Sequence, residues 1–349
     1  MKQTYYFLLL LSTFASCQLL QDNETILPKA TGKVGSILIV ADKSLWNKEM
    51  VTSIKEVLSK PAEGIGQKEA LFKLSTAPSS TYFKSLKTYR TVLIPIILDY
   101  PYDYFTPFKT GLSKEVIEKV EHKGTVMQKS VNTYAKEQTI VYLIAKNEKS
   151  LCTYVRENAK NLRYYFHQKE ISTLIKELER RKTNQKAVKR IEEKFSYHMH
   201  IPNTFQIAMD TNDFVWLRQV ETNKDLNILI AEAKPEEISF VNEDIFGYRN
   251  QLGKRYIYGN KKRENSYMTT ESLIGPFFED AKLSDDYAKE CRGLWKLNNL
   301  SMGGAFISYT ILQKNKKYLY VEAFLHNPNQ KKVPELRNLE ATLRTLKAI

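Results

Sequence analysis

Two histidines one residue apart, His198 and His200, flank Met199 in a stretch read as extended, where the two-residue period points both imidazoles the same way. Such a pair could serve copper or zinc. A third ligand is not evident nearby, and histidines ahead of Pro202 serve equally as surface residues at a domain entrance, so no metal is assigned. Ser301-Met302-Gly303-Gly304 is glycine-rich but lacks the Lys-Ser/Thr that takes phosphate and magnesium in a P-loop; between strands it reads as a tight turn or bulge. Trp216 and Arg218 share one strand face, and Arg292 and Trp295 are expected on adjoining strands of the same sheet. Aromatic faces beside guanidinium groups form a surface for glycans or anionic headgroups. Alternation sends Arg292 and Trp295 to opposite faces, so at least one of them is structural. The candidate binding residues are therefore Trp216, Arg218, Arg292, Trp295, Gly303 and Gly304.

Catalytic signatures are missing. The serines never occur in a Gly-x-Ser-x-Gly turn, and the histidines sit in no recognisable motif. Acid pairs such as Asp285-Asp286 and Glu236-Glu237 are adjacent in sequence, where side chains diverge, although a two-carboxylate site needs its members to meet only in space. No catalytic residue and no cofactor are assigned. A binding or assembly role is the expectation, with a hydrolase of envelope polymers as the alternative. Cys152 and Cys291 are far apart and form no CxxC, which favours two buried free thiols over a disulfide.

The third cysteine carries different chemistry. Lys2 begins a short N-terminal segment whose apolar part, Tyr5 to Phe14, spans roughly ten residues, and Phe14-Ala15-Ser16-Cys17 closes it. That arrangement is where a bacterial lipoprotein is cut and its cysteine acylated with fatty chains such as palmitate. The segment is too short to span, since a membrane helix needs about 20 apolar residues. Phe14 departs from the usual aliphatic residue of such a site, and an ordinary secretory signal cut elsewhere is the rival reading. Gln18 follows in place of the aspartate associated with inner-membrane retention, which favours the outer membrane. The expected divisions are a signal peptide over 1–16, a tether over 17–33, an N-terminal domain over 34–194 and a C-terminal domain over 195–349.

Elements that would position these residues can be read from periodicity. Ser36 to Ala41 and Thr91 to Leu98 predict buried strands, Leu45 to Ser59 a helix, Leu71 to Leu74 a weak strand and Tyr82 to Tyr89 a short helix. Gly124 to Val131 and Thr139 to Ala145 predict an antiparallel pair that closes an α/β sheet. Tyr100 to Phe108, rich in aromatic residues and proline, predicts a loop packed on the body. A long helical stretch follows from Glu148, and its charged later part, Glu177 to Lys194, reads as a solvated connector. Strands are predicted at Phe205–Met209, Phe214–Val220, Leu226–Ala231, Tyr267–Thr270, Ala288–Leu297, Ala305–Leu312 and Tyr318–Phe324, with helices from Asn242 and Pro334 laid on one face. The fold class is α+β: an N-terminal α/β sandwich-like domain, a long connecting helix, and a C-terminal antiparallel sheet with packed helices.

Net charge is +14 with 42% hydrophobic residues. An exported chain meets anionic lipid headgroups and acidic glycans before nucleic acid, so no nucleic-acid partner is expected; the basic excess is also dispersed, with clusters at Arg180-Arg181-Lys182, Lys186 to Arg190 and Lys261-Lys262-Arg263. Several stretches resemble an uncharacterised family of Bacteroidota lipoproteins known only as a domain of unknown function. They are Leu27-Pro28-Lys29-Ala30-Thr31-Gly32-Lys33, Leu45-Trp46, Asp213-Phe214-Val215-Trp216-Leu217-Arg218, Ser266-Tyr267-Met268-Thr269-Thr270-Glu271, Arg292-Gly293-Leu294-Trp295 and Met302-Gly303-Gly304-Ala305-Phe306-Ile307-Ser308-Tyr309. The resemblance implies a lipid-anchored envelope protein in two parts; it supplies no reaction and no catalytic residue. Expected partners are the membrane, through the anchor, and an envelope glycan, lipid headgroup or another envelope protein.

Overall fold

The computed structural model describes residues 27–349 apart from 67, 101, 260–264 and 284. Cys17, the expected signal peptide, most of the expected tether and the Lys261-Lys262-Arg263 cluster lie outside the described residues.

β-Branched runs build the first sheet. Its strands are β1 (Ser36–Val40), β2 (Lys73–Ala77), β3 (Thr91–Ile97), β4 (Thr125–Val131) and β5 (Thr139–Ala145), in the order β2-β1-β3-β5-β4. All neighbours are parallel except β4, which runs antiparallel to β5. Wholly buried β1 and β3 are continuous apolar runs because sheet neighbours flank both edges and other elements cover both faces. Helix α1 (Glu49–Leu58) lays Met50, Ile54, Val57 and Leu58 on the sheet. The segment Tyr82–Leu86 is one π-helical turn rather than an ordinary short helix. The aromatic loop packs down as expected through Phe105, Tyr100, Tyr104 and Phe108, leaving Tyr102 62% exposed. Helix α2 (Lys114–Lys123), absent from the sequence reading, is capped by Ser113 and buries only Val116 and Val120.

The long helical stretch breaks into α3 (Glu148–Glu157), α4 (Ala159–Glu179) and α5 (Gln185–Phe195). Its later part is not a solvated connector. Leu174 and Leu178 of α4 pack with Ala341, and Ala187, Val188, Ile191 and Phe195 of α5 enter the second core. Four apolar residues on one face suffice to bury a helix whose other faces carry charge.

The second sheet comprises β7 (Gln206–Asp210), β8 (Phe214–Glu221), β9 (Lys224–Ala233), β10 (Met268–Thr270), β11 (Phe277–Leu283), β12 (Asp286–Leu297), β13 (Leu300–Leu312) and β14 (Tyr318–His326), while the two-residue strand β6 (Tyr197–His198) pairs apart from it with β15 (Lys347–Ala348). Its order is β10-β12-β13-β14-β9-β8-β7, with β11 sharing the free edge of β12. Helices cover both faces, not one. Helix α6 (Asn242–Tyr256) packs with Phe214, Leu229, Phe306 and Phe324; α5 and α7 (Val333–Leu343) pack on Val215, Ile228, Ile307 and Val321. Consecutive residues such as Ile228 and Leu229 thus go to different cores, which is why the central strands are apolar throughout.

The two lobes meet along α4, α7 and the segments 62–66 and 68–71. Ile65 is buried in the core of the C-terminal lobe. Glu69 caps α7 from the other lobe, accepting from the backbone N–H groups of Lys332 at 2.8 Å and Val333 at 3.1 Å. Glu170 accepts from Gly35 N and Thr91 Oγ1, both at 2.7 Å.

Candidate functional site

At this seam the structure gathers charges that sequence spacing did not connect. Glu340 lies on α7 among Leu336, Leu339 and Leu343 and is 0% exposed. His167 of α4 donates through Nε2 to both its oxygens at 2.9 and 3.0 Å. Arg292 of β12 reaches it at 2.9 Å and Arg344, one turn on, at 3.0 Å. Glu290, two residues before Arg292 on the same strand face, pairs with Arg292 and with Arg344 at 3.4 Å. Tyr309 Oη accepts from Arg344 Nε at 3.1 Å. Two carboxylates and two guanidinium groups therefore balance inside the protein, with His167 and Tyr309 completing the cluster.

Electrostatics follow from that pairing. Burial alone would raise the Glu340 carboxyl, but Arg292, His167 and Arg344 hold it well below the usual carboxylate range. Burial pushes the Tyr309 phenol upward, and the two glutamates add to it. Arg292 keeps its proton more firmly than a free guanidinium: burial works against the charge, and Glu290 and Glu340 outweigh it.

Beside this cluster opens a cavity of about 100 Å³, between Arg163, His167 and Gln168 of one lobe and Glu290, Arg292 and Arg344 of the other. That is well below the roughly 300–1,000 Å³ of sites for drug-sized ligands, so it admits a functional group rather than a whole metabolite. Its walls hold buried donors without partners. Arg344 donates to Gln168 Oε1 at 2.9 Å, which fixes the amide so that Nε2 is left as a donor, and that nitrogen is unpaired. Arg163 Nε is likewise a buried, unpaired donor; His167 Nδ1 is also buried and unpaired but is an acceptor in the neutral ring whose Nε2 donates to Glu340.

The residues singled out from sequence are dispersed. Arg292 belongs to the seam. Trp295 faces the opposite side, as alternation required, stacking edge-on against Phe324 and donating Nε1 to Leu325 O at 3.0 Å. Trp216 and Arg218 lie on β8, which is in the same sheet but not adjoining: β9, β14 and β13 stand between β8 and β12. Arg218 is held by Asp225 at 2.9 Å and lies 5.7 Å from the Trp216 ring centre. Gly303 and Gly304 are in strand β13, not in a turn. A Cβ on Gly304 would sit 1.8 Å from Leu325 O, and one on Gly303 2.5 Å from Trp295 O, so both glycines permit close packing beneath Trp295. They line an open groove of about 400 Å³ with Lys296, Ser301 and Met302. His198 pairs with Glu192 at 2.7 Å, while His200 is buried and its proton affinity is lowered by burial and by His198. Among the described residues no group of three His, Cys, Asp or Glu side chains could hold a metal ion. Cys152 and Cys291 are free and buried.

Sequence reasoning missed Glu340, Glu290, Arg344, His167 and Gln168. A usable signal existed in Glu340, a charge inside the leucine stripe of the last helix, and in the Glu290-x-Arg292 spacing, which puts both charges on one face of a buried strand.

Fold and site together define a two-lobed α+β protein closed by a buried ionic seam. Residues 30–179 match a domain of unknown function, DUF8532, and residues 184–345 match a second domain of unknown function, DUF4837. No curated protein matches the sequence. Two human structures, the StarD13 lipid transfer and protein localization domain and STARD10, are similar at 9% identity with a TM-score of 0.21, over 46% of this chain and 93% and 75% of theirs. Similarity at that level carries no inference about this chain.

Proposed function

We propose that the protein is a binding component of the cell envelope, anchored in the outer membrane of a Bacteroidota-type bacterium through acylated Cys17, and that its inter-lobe cleft receives an anionic group, a carboxylate or phosphate borne by an envelope glycan or lipid headgroup. The observation that carries this reading is the set of buried, unpartnered donors on the cleft wall, Gln168 Nε2 above all. A buried donor left unpaired costs about 1–3 kcal/mol, which an acceptor-rich ligand would offset. Lys160 and Arg163 at the mouth are paired with Glu279 and Glu63, and Arg292 and Arg344 behind them with Glu290 and Glu340, so the reading rests on the unpaired donors and not on an excess of positive charge. Among the described residues lining the cleft there is no serine, threonine or cysteine to act as a nucleophile.

Calorimetric titration of the chain from residue 18 onward with inorganic phosphate, glucuronate and glycerol phosphate tests the reading. Saturable binding weakened about tenfold or more by Gln168→Leu supports it, since one hydrogen bond to a charged group is worth about 1.5–3 kcal/mol. Binding that ignores both Gln168→Leu and Arg163→Met, or no binding by any of the three, rejects the cleft. The hydrolase reading draws on one feature, the Glu340–His167 pair with Nδ1 unpartnered. Turnover of peptidoglycan or glycan panels, abolished by His167→Ala, would favour it.

A further inference from the structure

A second concavity, in the N-terminal lobe, has a chemistry opposite to that of the cleft. It measures about 270 Å³ and lies between the π-helical turn, the end of the aromatic loop and the face of β4 and β5. Phe83 and Phe108 form one wall, stacked with ring centres 5.3 Å apart and planes 26° apart. Phe83 is 40% exposed, so this apolar wall opens to solvent. The rest is polar without charge. Gln128 and Tyr142 are direct cross-strand partners, Ser130, Tyr82 and Tyr134 add further polar groups, and Pro107, Gly111 and Leu112 extend the apolar wall. Among the described residues that line it, none is an acid, lysine, arginine or histidine.

Tyr82 gives the second, independent observation. The residue is 0% exposed, yet its hydroxyl has no hydrogen-bond partner. Buried tyrosine hydroxyls ordinarily find one. Tyr134 and Tyr142 are close enough to add to the effect of burial in raising the phenol's affinity for its proton, so hydroxyl groups converge here. Tyr82 also begins the π-helical turn, a form concentrated at functional sites.

We propose that this pocket binds one neutral, hydroxyl-rich ring: a single sugar residue at the end of a glycan. The absence of charge among the lining residues disfavours anionic or cationic ligands, and the hydroxyls and amide disfavour an acyl chain. A pyranose matches both surfaces, with apolar C–H faces for Phe83 and Phe108, a polar rim of Gln128, Ser130, Tyr134 and Tyr142, and the buried Tyr82 hydroxyl behind it. Volume agrees, since sites for drug-sized ligands run from roughly 300 to 1,000 Å³ and this one falls just below that range.

Saturation-transfer NMR with the methyl glycosides of glucose, galactose and N-acetylglucosamine, on the chain from residue 18 onward, tests the site. The expected result is saturable transfer to the ring C–H protons of at least one glycoside. Tyr82→Phe, which keeps the packed ring and removes only the hydroxyl, should weaken it about fivefold, the ordinary value of one hydrogen bond. Phe83→Ala, at an exposed position, should weaken it by a similar factor or more, while Gln168→Leu in the inter-lobe cleft should leave it unchanged. Transfer to none of the glycosides, equal binding by wild type and both pocket variants, or competition by indole but not by free sugar would each overturn the proposal.

Discussion

Replacing Glu340 by glutamine tests the ionic seam most sharply. The substitution keeps shape but turns one accepting oxygen into an NH2 donor that faces other donors, and it removes one of the two buried negative charges, leaving Arg292 and Arg344 to share Glu290 alone. Breaking a buried ion pair on one side costs about 3–5 kcal/mol, because the surviving charge stays desolvated. For a lobe of this size 1 kcal/mol is worth about 2–4 °C, so the melting midpoint should fall by about 6–20 °C near neutral pH. The sign with pH follows from Glu340, whose folded-state pKa is depressed. Its contribution is present above the unfolded-state pKa and is lost as pH falls through the folded-state value, well below the ordinary carboxylate range. Differential scanning calorimetry of wild type and Glu340→Gln across a series from neutral to acid should therefore show a gap that narrows only at the acid end. A variant that melts with the wild type at neutral pH, or a gap independent of pH, would refute the reasoning.

Other consequences are equally specific. Gly304→Ala should destabilise the C-terminal lobe by about 1–3 kcal/mol, because the new methyl meets Leu325 O and strand β13 must shift; urea unfolding followed by circular dichroism reads the loss. Burial pushes the Cys291 thiol up to about 12, and it pushes the Cys152 thiol upward as well, so neither should react with a thiol reagent in the native state and both should react after unfolding. His200 has its proton affinity lowered by burial and by His198, so the unfolded chain binds the extra proton first and folding stability falls as pH drops below the free histidine value; His200→Gln should flatten that slope in pH-dependent melts.

Much of the architecture was legible because the signals are local. Phe214 to Val220 and Tyr318 to Phe324 carry β-branched and aromatic residues at strand spacing, and Met50, Ile54, Val57 and Leu58 repeat at helix spacing. Phe277–Leu283 escaped because Glu279, Asp280 and Lys282 make a half-exposed edge strand that looks like a loop, and Lys114–Lys123 because two buried valines leave almost no stripe. The near-continuous apolar character of Leu226 to Ala231 recorded a sheet covered on both faces, a meaning available only once the covering helices are placed. The seam was invisible for a stronger reason. Its members come from α4, β12, β13 and α7, and the local clues, Glu340 in the leucine stripe and Glu290-x-Arg292 on one strand face, mark single charges without naming their partners, while Glu340 and Arg344 have the spacing of any exposed helical ion pair. Tertiary packing alone distinguishes it.

The account depends above all on where the chain is held. Mass spectrometry of the mature protein purified from its native cells reads this directly: the prediction is a polypeptide that begins at Cys17 and carries fatty acyl chains. A chain that begins at Met1, or a mature N-terminus without acyl groups, would contradict it.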